Sequence, residues 1–233
     1  LINNSNISTV FIFNDKEGVD ILNSIFKTRQ FKYLADPVYT YTSKGSLESL
    51  NVFSPTSFKY LVFGALDERK NITNILKAYD AASLNFDSEL LFIGISKPPY
   101  LQYLNELISN CPSIDNKHKK VYIRSEFVRD DEMDYYFSIS DVCLLIYKDF
   151  FGSSGLLGRA ALHHKKVIGA NTGVLGELIP NYNLGLTTDP YSVPMITRSM
   201  SEIHDYQLDH SKCQAFYEQH SPQAFLKQLV TVE

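Results

Sequence analysis

The chain is 233 residues long and 44% hydrophobic, enough to bury one large α/β domain or one domain with part of a second. Lys plus Arg number 22 against 26 Asp plus Glu, for a net charge of −4. With no long run of like sign, this excludes a general nucleic-acid surface and leaves any phosphate contact to individually placed cations.

In chain order, Thr9 to Phe13 reads as a strand, Gly18 to Phe26 as a helix and Lys32 to Leu34 as a second strand, together a βαβ-like piece. A Ser/Thr/Gly-rich stretch after Asp36-Pro37 runs to Thr56 and reads as a linker, so residues 1–57 are taken as the remnant of a preceding domain plus that linker. The first residue is Leu1, not Met, and the chain is expected to begin inside a longer gene product.

Short apolar runs then recur at Tyr60 to Phe63, Leu90 to Gly94, Val121 to Ile123, Val142 to Tyr147, Val167 to Gly169 and Leu184 to Thr187, with amphipathic segments between them. That alternation predicts an α/β fold over residues 58–190, a Rossmann-like parallel sheet with helices on both faces. Ile72, Ile75, Leu76 and Tyr79 keep the i, i+3, i+4, i+7 rule and predict a helix from Lys70 to Ser83. Pro98-Pro99 opens another helix, which Cys111-Pro112 ends, and Asp130-Asp131-Glu132 suits the front of a third. Residues 191–233 are read as C-terminal helices packing on this domain, from Ile196 to Ile203 and from Gln214 to Val230. Cys111, Cys143 and Cys213 are far apart, the pattern of a reduced, cytoplasmic protein, and no apolar run approaches the roughly 20 residues of a membrane span.

One place in this series invites an anion. The apolar run Val142 to Tyr147 gives way to Lys148-Asp149-Phe150-Phe151-Gly152-Ser153-Ser154-Gly155 and then to a helical segment. Hydroxyls that cap a helix start leave several backbone N–H groups pointing out of the sheet, where helix dipole and open amides favour a phosphate. An ordinary strand-to-helix turn has the same composition. His163-His164 is adjacent in sequence, which does not place two rings on one helical face, so no metal site is expected.

From Phe63 to Gly185 the order of elements resembles the C-terminal, nucleotide-sugar-binding half of a GT-B glycosyltransferase of the large retaining group 1, or family 4. Four landmarks carry it: Phe63-Gly64-Ala65-Leu66-Asp67-Glu68-Arg69-Lys70; Leu91-Phe92-Ile93-Gly94; Val121 to Val128; and the Gly/Ser turn leading to Lys166-Val167-Ile168-Gly169, with Gly173 to Ile179 after it. The resemblance implies a nucleotide base against the turn with Glu126 and Phe127. It also implies a diphosphate between the cations Arg69 and Lys70 and the amides of Gly152, Ser153, Ser154 and Gly155. Further implications are a UDP- or GDP-linked sugar donor, a glycan or lipid acceptor, a missing N-terminal domain, no cofactor, a role in polysaccharide biosynthesis and, for the full-length protein, a cytoplasmic site peripheral at the membrane.

The sequence also departs from that pattern. Phe151 and Arg159 stand where the family has two glutamates, Ala65 replaces an arginine, and no catalytic residue is identified. Arg159 can only donate, which suits a phosphate better than a ribose diol; Asp149 is a candidate for a displaced carboxylate, and Glu177, beside a helix start, reaches either the donor or only the helix dipole. The expectation is the donor-binding half of a retaining glycosyltransferase, incomplete and inactive as an isolated chain. The alternative is a non-catalytic nucleotide-sugar-binding or interaction module. An epimerase of the same architecture is disfavoured because its catalytic histidine and carboxylates are not evident.

Overall fold

The computed structural model describes residues 6–41, 53–114 and 118–230. It opens with β1 (Val10–Phe13), α1 (Lys16–Phe26) and β2 (Phe31–Leu34), whose strands pair in parallel as a small sheet of their own. Most of the stretch read as a linker, residues 42–52, lies outside the described residues.

The main body runs β3 (Phe58–Phe63), α2 (Ile72–Ala81), β4 (Ser88–Ile93), α3 (Pro98–Ser109), β5 (Lys119–Arg124), α4 (Asp130–Ile139), β6 (Val142–Leu145), α5 (Gly155–Leu162), β7 (Lys166–Ala170), α6 (Gly173–Asn181) and β8 (Gly185–Thr188). Three helices follow: α7 (Val193–Glu202), α8 (His210–Gln219) and α9 (Pro222–Val230). All six strands are parallel, in the order β5-β4-β3-β6-β7-β8. Chain order leads from β3 outward to β5 on one side and from β6 outward to β8 on the other, so a topological switch point lies between β3 and β6.

Because side chains alternate across a strand, the sheet feeds two cores. Leu61, Phe63, Leu91, Cys143 and Leu145 join residues of α4, α5, α6 and α8 on one face. Tyr60, Val62, Leu90, Phe92 and Leu144 join α2, α3 and α7 on the other. Each such fully buried aliphatic contributes about 1.5–3 kcal/mol relative to exposure, which explains why near-continuous apolar runs, not alternating ones, mark these strands.

Several boundaries differ from the sequence expectation, and three of them shape the site or its support. The segment Glu68–Lys70 is a 3-10 turn, and α2 starts only at Ile72 because Asn71 takes a left-handed conformation, φ 58°. Strand β6 stops at Leu145, which frees Tyr147 to turn toward the strand ends. The long C-terminal helix is broken at His220 and Ser221, since Pro222 lacks the N–H a continuous helix needs and disfavours helical geometry before it.

The small sheet is tied to the body through the C-terminal helices. Val38 N donates to the His220 carbonyl at 2.7 Å and Ala35 N to Gln228 Oε1 at 3.0 Å. The crossing chain lies so close to α5 that a Cβ at Gly158 would fall 2.2 Å from Val38 Cγ2. No helix among the described residues is long and apolar enough to cross a membrane.

Candidate functional site

At the carboxyl ends of β3 and β4 the backbones of Gly64 and Gly94 meet. Both have positive φ, and a Cβ at Gly94 would lie 2.0 Å from the Gly64 carbonyl oxygen, so a side chain cannot be accommodated there. The chain then passes through the 3-10 turn and brings Lys70 back beneath Gly64, where a Cβ would be 3.5 Å from Lys70 Nζ. Lys70 is only 5% exposed. Its ammonium donates to Tyr147 Oη at 3.0 Å and lies 4.4 Å from the centre of the Tyr147 ring.

Among the described residues no carboxylate forms an ion pair with Lys70. Burial pushes its pKa down to about 8, and the neighbouring Arg69 adds to the depression. This is a desolvated cation at the end of a sheet, answered by a neutral hydroxyl.

Tyr147 carries the contact across the switch point. Its Oη lies 3.2 Å from Ser154 Oγ, and Ser154 caps α5 by accepting from Leu156 N at 3.4 Å. An ammonium can only donate, so the Tyr147 oxygen accepts from Lys70, while either hydroxyl can be the donor between Tyr147 and Ser154. Arg69 is exposed and lies over the Tyr147 and Phe150 rings at 5.7 and 5.4 Å, while Lys148 N donates to the Arg69 carbonyl at 3.0 Å. Ser153 is buried and accepts from Asn14 Nδ2 at 2.8 Å. Lys70, Arg69, Ser154 and the first amides of α5 therefore converge where open parallel sheets bind ligands, outside the carboxyl ends of the strands at the switch point. A cavity of about 750 Å³, lined among others by Ala65, Asp67, Arg69, Ile95 and Lys97, opens beside it; sites for small molecules span roughly 300–1,000 Å³.

The remaining residues singled out from the sequence have other partners. Arg159 is buried with its guanidinium on Asp134, which also sits 2.9 Å from His163 Nε2 and accepts from Tyr41 N at 3.1 Å. Burial would raise the Asp134 carboxyl, but His163 and Arg159 outweigh it and hold it below the usual range. Glu126 pairs with Arg124, which also reaches Tyr136 Oη at 2.6 Å and Glu132 at 3.1 Å. Phe127, beside it, is 78% exposed, and Phe151 is 72% exposed next to the Gly152 turn. Asp149 accepts from Tyr191 Oη at 2.7 Å. Glu177 lies near Tyr33 of β2, whose hydroxyl is pushed up to about 12, chiefly by burial. Among the described residues no group of three or more His, Cys, Asp or Glu could hold a metal ion.

Two residues of this site had no sequence signal. Tyr147 closes an apolar run and reads as strand core, and Asn14 lies in the piece read as a remnant.

No family model matches the chain, and no curated protein matches it. Solved structures do. Sucrose-phosphate synthase from Thermosynechococcus elongatus aligns at a TM-score of 0.73 and 14% identity over 96% of this chain and 57% of that one. HepE from Anabaena, in complex with UDP, gives 0.67 and 17% over 96% and 62%; it has also been solved with UDP-glucose. The C-terminal domain of the group 1 glycosyl transferase LpcC from Francisella tularensis gives 0.55 and 18% over 76% of this chain and 87% of that domain. The chain thus has the fold of the GT-B glycosyltransferases and matches the C-terminal domain of a group 1 enzyme. It spans about three-fifths of the length of the sucrose-phosphate synthase and HepE chains.

Proposed function

We propose that this chain is the donor-binding half of a retaining glycosyltransferase, which takes a nucleoside-diphosphate sugar for transfer to a glycan or lipid acceptor in polysaccharide biosynthesis. The buried Lys70, which no carboxylate pairs among the described residues, carries the reading. A cation taken out of water without an ion-pair partner is stabilised by an incoming anion, and the N-terminal end of the α5 dipole and the Ser154 hydroxyl offer the same anion its other contacts. A leaving diphosphate develops charge in the transition state, and fixed donors of this kind stabilise it with no reorganisation. Arg69 supplies a second, exposed cation, and Phe127 an uncovered ring for the base. UDP is the first donor nucleotide to try, because HepE with this fold has been solved with UDP and UDP-glucose; GDP is the second.

The acceptor side belongs to the preceding domain of which β1, α1 and β2 are read as the remnant, and the exposed Phe13, Ile21, Ile25 and Phe26 are the face on which the rest of it would pack. Alone, these 233 residues are expected to bind donor and to transfer no sugar. Calorimetric titration with UDP, GDP and ADP, with and without a chelator, tests the binding; silence for all three up to millimolar concentration overturns it.

The pairing of Arg159 with Asp134, and of Asp149 with Tyr191, favours a second reading. With no carboxylate left facing the Gly/Ser turn from those positions, the chain serves as a non-catalytic nucleotide-sugar-binding module. Acceptor-dependent release of UDP by the full-length protein separates the two.

A further inference from the structure

We infer that Asn14 is a positioning residue for the diphosphate turn: from the end of the small sheet, its amide fixes Ser153 and so the conformation of the Ser153–Gly155 segment. The inference rests on the diphosphate reading above, but the geometry behind it is independent of any nucleotide. Asn14 follows β1 directly, is 4% exposed and holds φ at 57°. Its Oδ1 accepts from Asp36 N at 2.9 Å and lies 3.0 Å from His220 Nε2, while Nδ2 donates to Ser153 Oγ at 2.8 Å. The Asp36 amide can only donate, so the orientation of the Asn14 amide is determined and its NH₂ faces Ser153.

His220 is itself held, with Nδ1 2.7 Å from the Phe216 carbonyl and its own carbonyl accepting from Val38 N. Four parts of the chain meet at this one side chain: the end of β1, the crossing segment after β2, the turn before α5 and the end of α8. The space left among Asn14, Asp36, Ser153, Gly155 and His220 is about 10 Å³, room for at most one water. The turn needs such support. Ser154 is not glycine yet has φ 56°, and a residue held in that region persists only where its surroundings over-determine it.

Asn14→Gly tests this, because glycine keeps the positive φ and removes the amide. In the intact chain, amide hydrogen exchange at residues 153–156 should quicken about tenfold, with β3 and β4 unchanged, and UDP should bind about five- to tenfold more weakly while uridine does not, the size expected for one buried hydrogen bond. Ser153→Ala, which cuts the same bond from the other side without touching the small sheet, should reproduce both effects. The double variant should lose no more than the worse single one, as partners in one contact do. Unchanged exchange at 153–156, faster exchange with unaltered UDP affinity, or additive losses would each overturn the inference. If the parent chain binds no UDP, the diphosphate reading fails, while the exchange comparison still decides whether Asn14 holds the turn.

Discussion

The six-stranded sheet and the β1–β2 pair solve the same problem with opposite success. Both are parallel strands joined by a helix, but the central strands of the large sheet are covered on both faces, whereas the small pair leaves Phe13, Ile21, Ile25 and Phe26 in solvent. A two-stranded sheet is marginal alone. This one is held where Leu34, Ala35 and Val38 pack toward the C-terminal helices, and it returns the favour through the Asn14–Ser153 bond. Stability thus resides in the large sheet, and the small one acts as a brace on its site.

The largest effect that could break this comparison comes from the large sheet. Leu61→Ala, at a fully buried position of β3, should cost about 2–5 kcal/mol in chemical denaturation; a loss below 1 kcal/mol, on the order of a surface change, would mean the core is not where stability resides.

Lys70→Met separates site from scaffold. It keeps the apolar stem and removes the charge, so UDP affinity should fall by on the order of 1.5–3 kcal/mol, uridine affinity should hold, and folding should be unharmed because a desolvated charge is gone. Equal losses for UDP and uridine would show that Lys70 supports the fold, not the phosphate.

The pH dependence has a definite sign. Free Lys70 has its pKa depressed to about 8, and a bound anion raises it again. UDP affinity is therefore full between about pH 7, where the terminal phosphate is ionised, and about pH 8, and falls as pH rises through the upper value by at most about tenfold per unit. Titration calorimetry across this range should lose the dependence in Lys70→Met; a parent curve that stays flat would place the anion elsewhere.

The smallest effect is expected from the small sheet. Ile25→Ala removes a side chain that is 65% exposed, and the change in unfolding free energy should stay within about 0.5 kcal/mol. A larger loss would show that α1 is packed against something in solution, and its dependence on protein concentration would say whether that is a second copy.

The layers of the fold were legible because their signals are local. Apolar runs of strand length, the i, i+3, i+4, i+7 spacing of Ile72, Ile75, Leu76 and Tyr79, and the two prolines opening α3 each record which face a segment must bury. The Gly/Ser turn was legible for the same reason, whereas Lys70 stood out only because the segment it ends resembles the glycine-turn landmark of GT-B enzymes. Boundaries were less so: the break before Pro222 follows from a local signal that the apolar spacing of Gln214 to Val230 masked, and the 3-10 turn at Glu68–Lys70 from the left-handed backbone of Asn71.

What the chain needed its folded form to decide is which groups face one another. Tyr147 reaches Lys70 across 77 positions and Asn14 reaches Ser153 across 139, distances at which neither periodicity nor composition carries information. Arg159 looked available to a phosphate until Asp134, on another helix, was seen to hold it. Hydrophobic burial acts on every residue of a segment and so leaves a pattern along it. A hydrogen bond or ion pair joins two atoms from distant segments, and it exists only once the sheet order has brought them together.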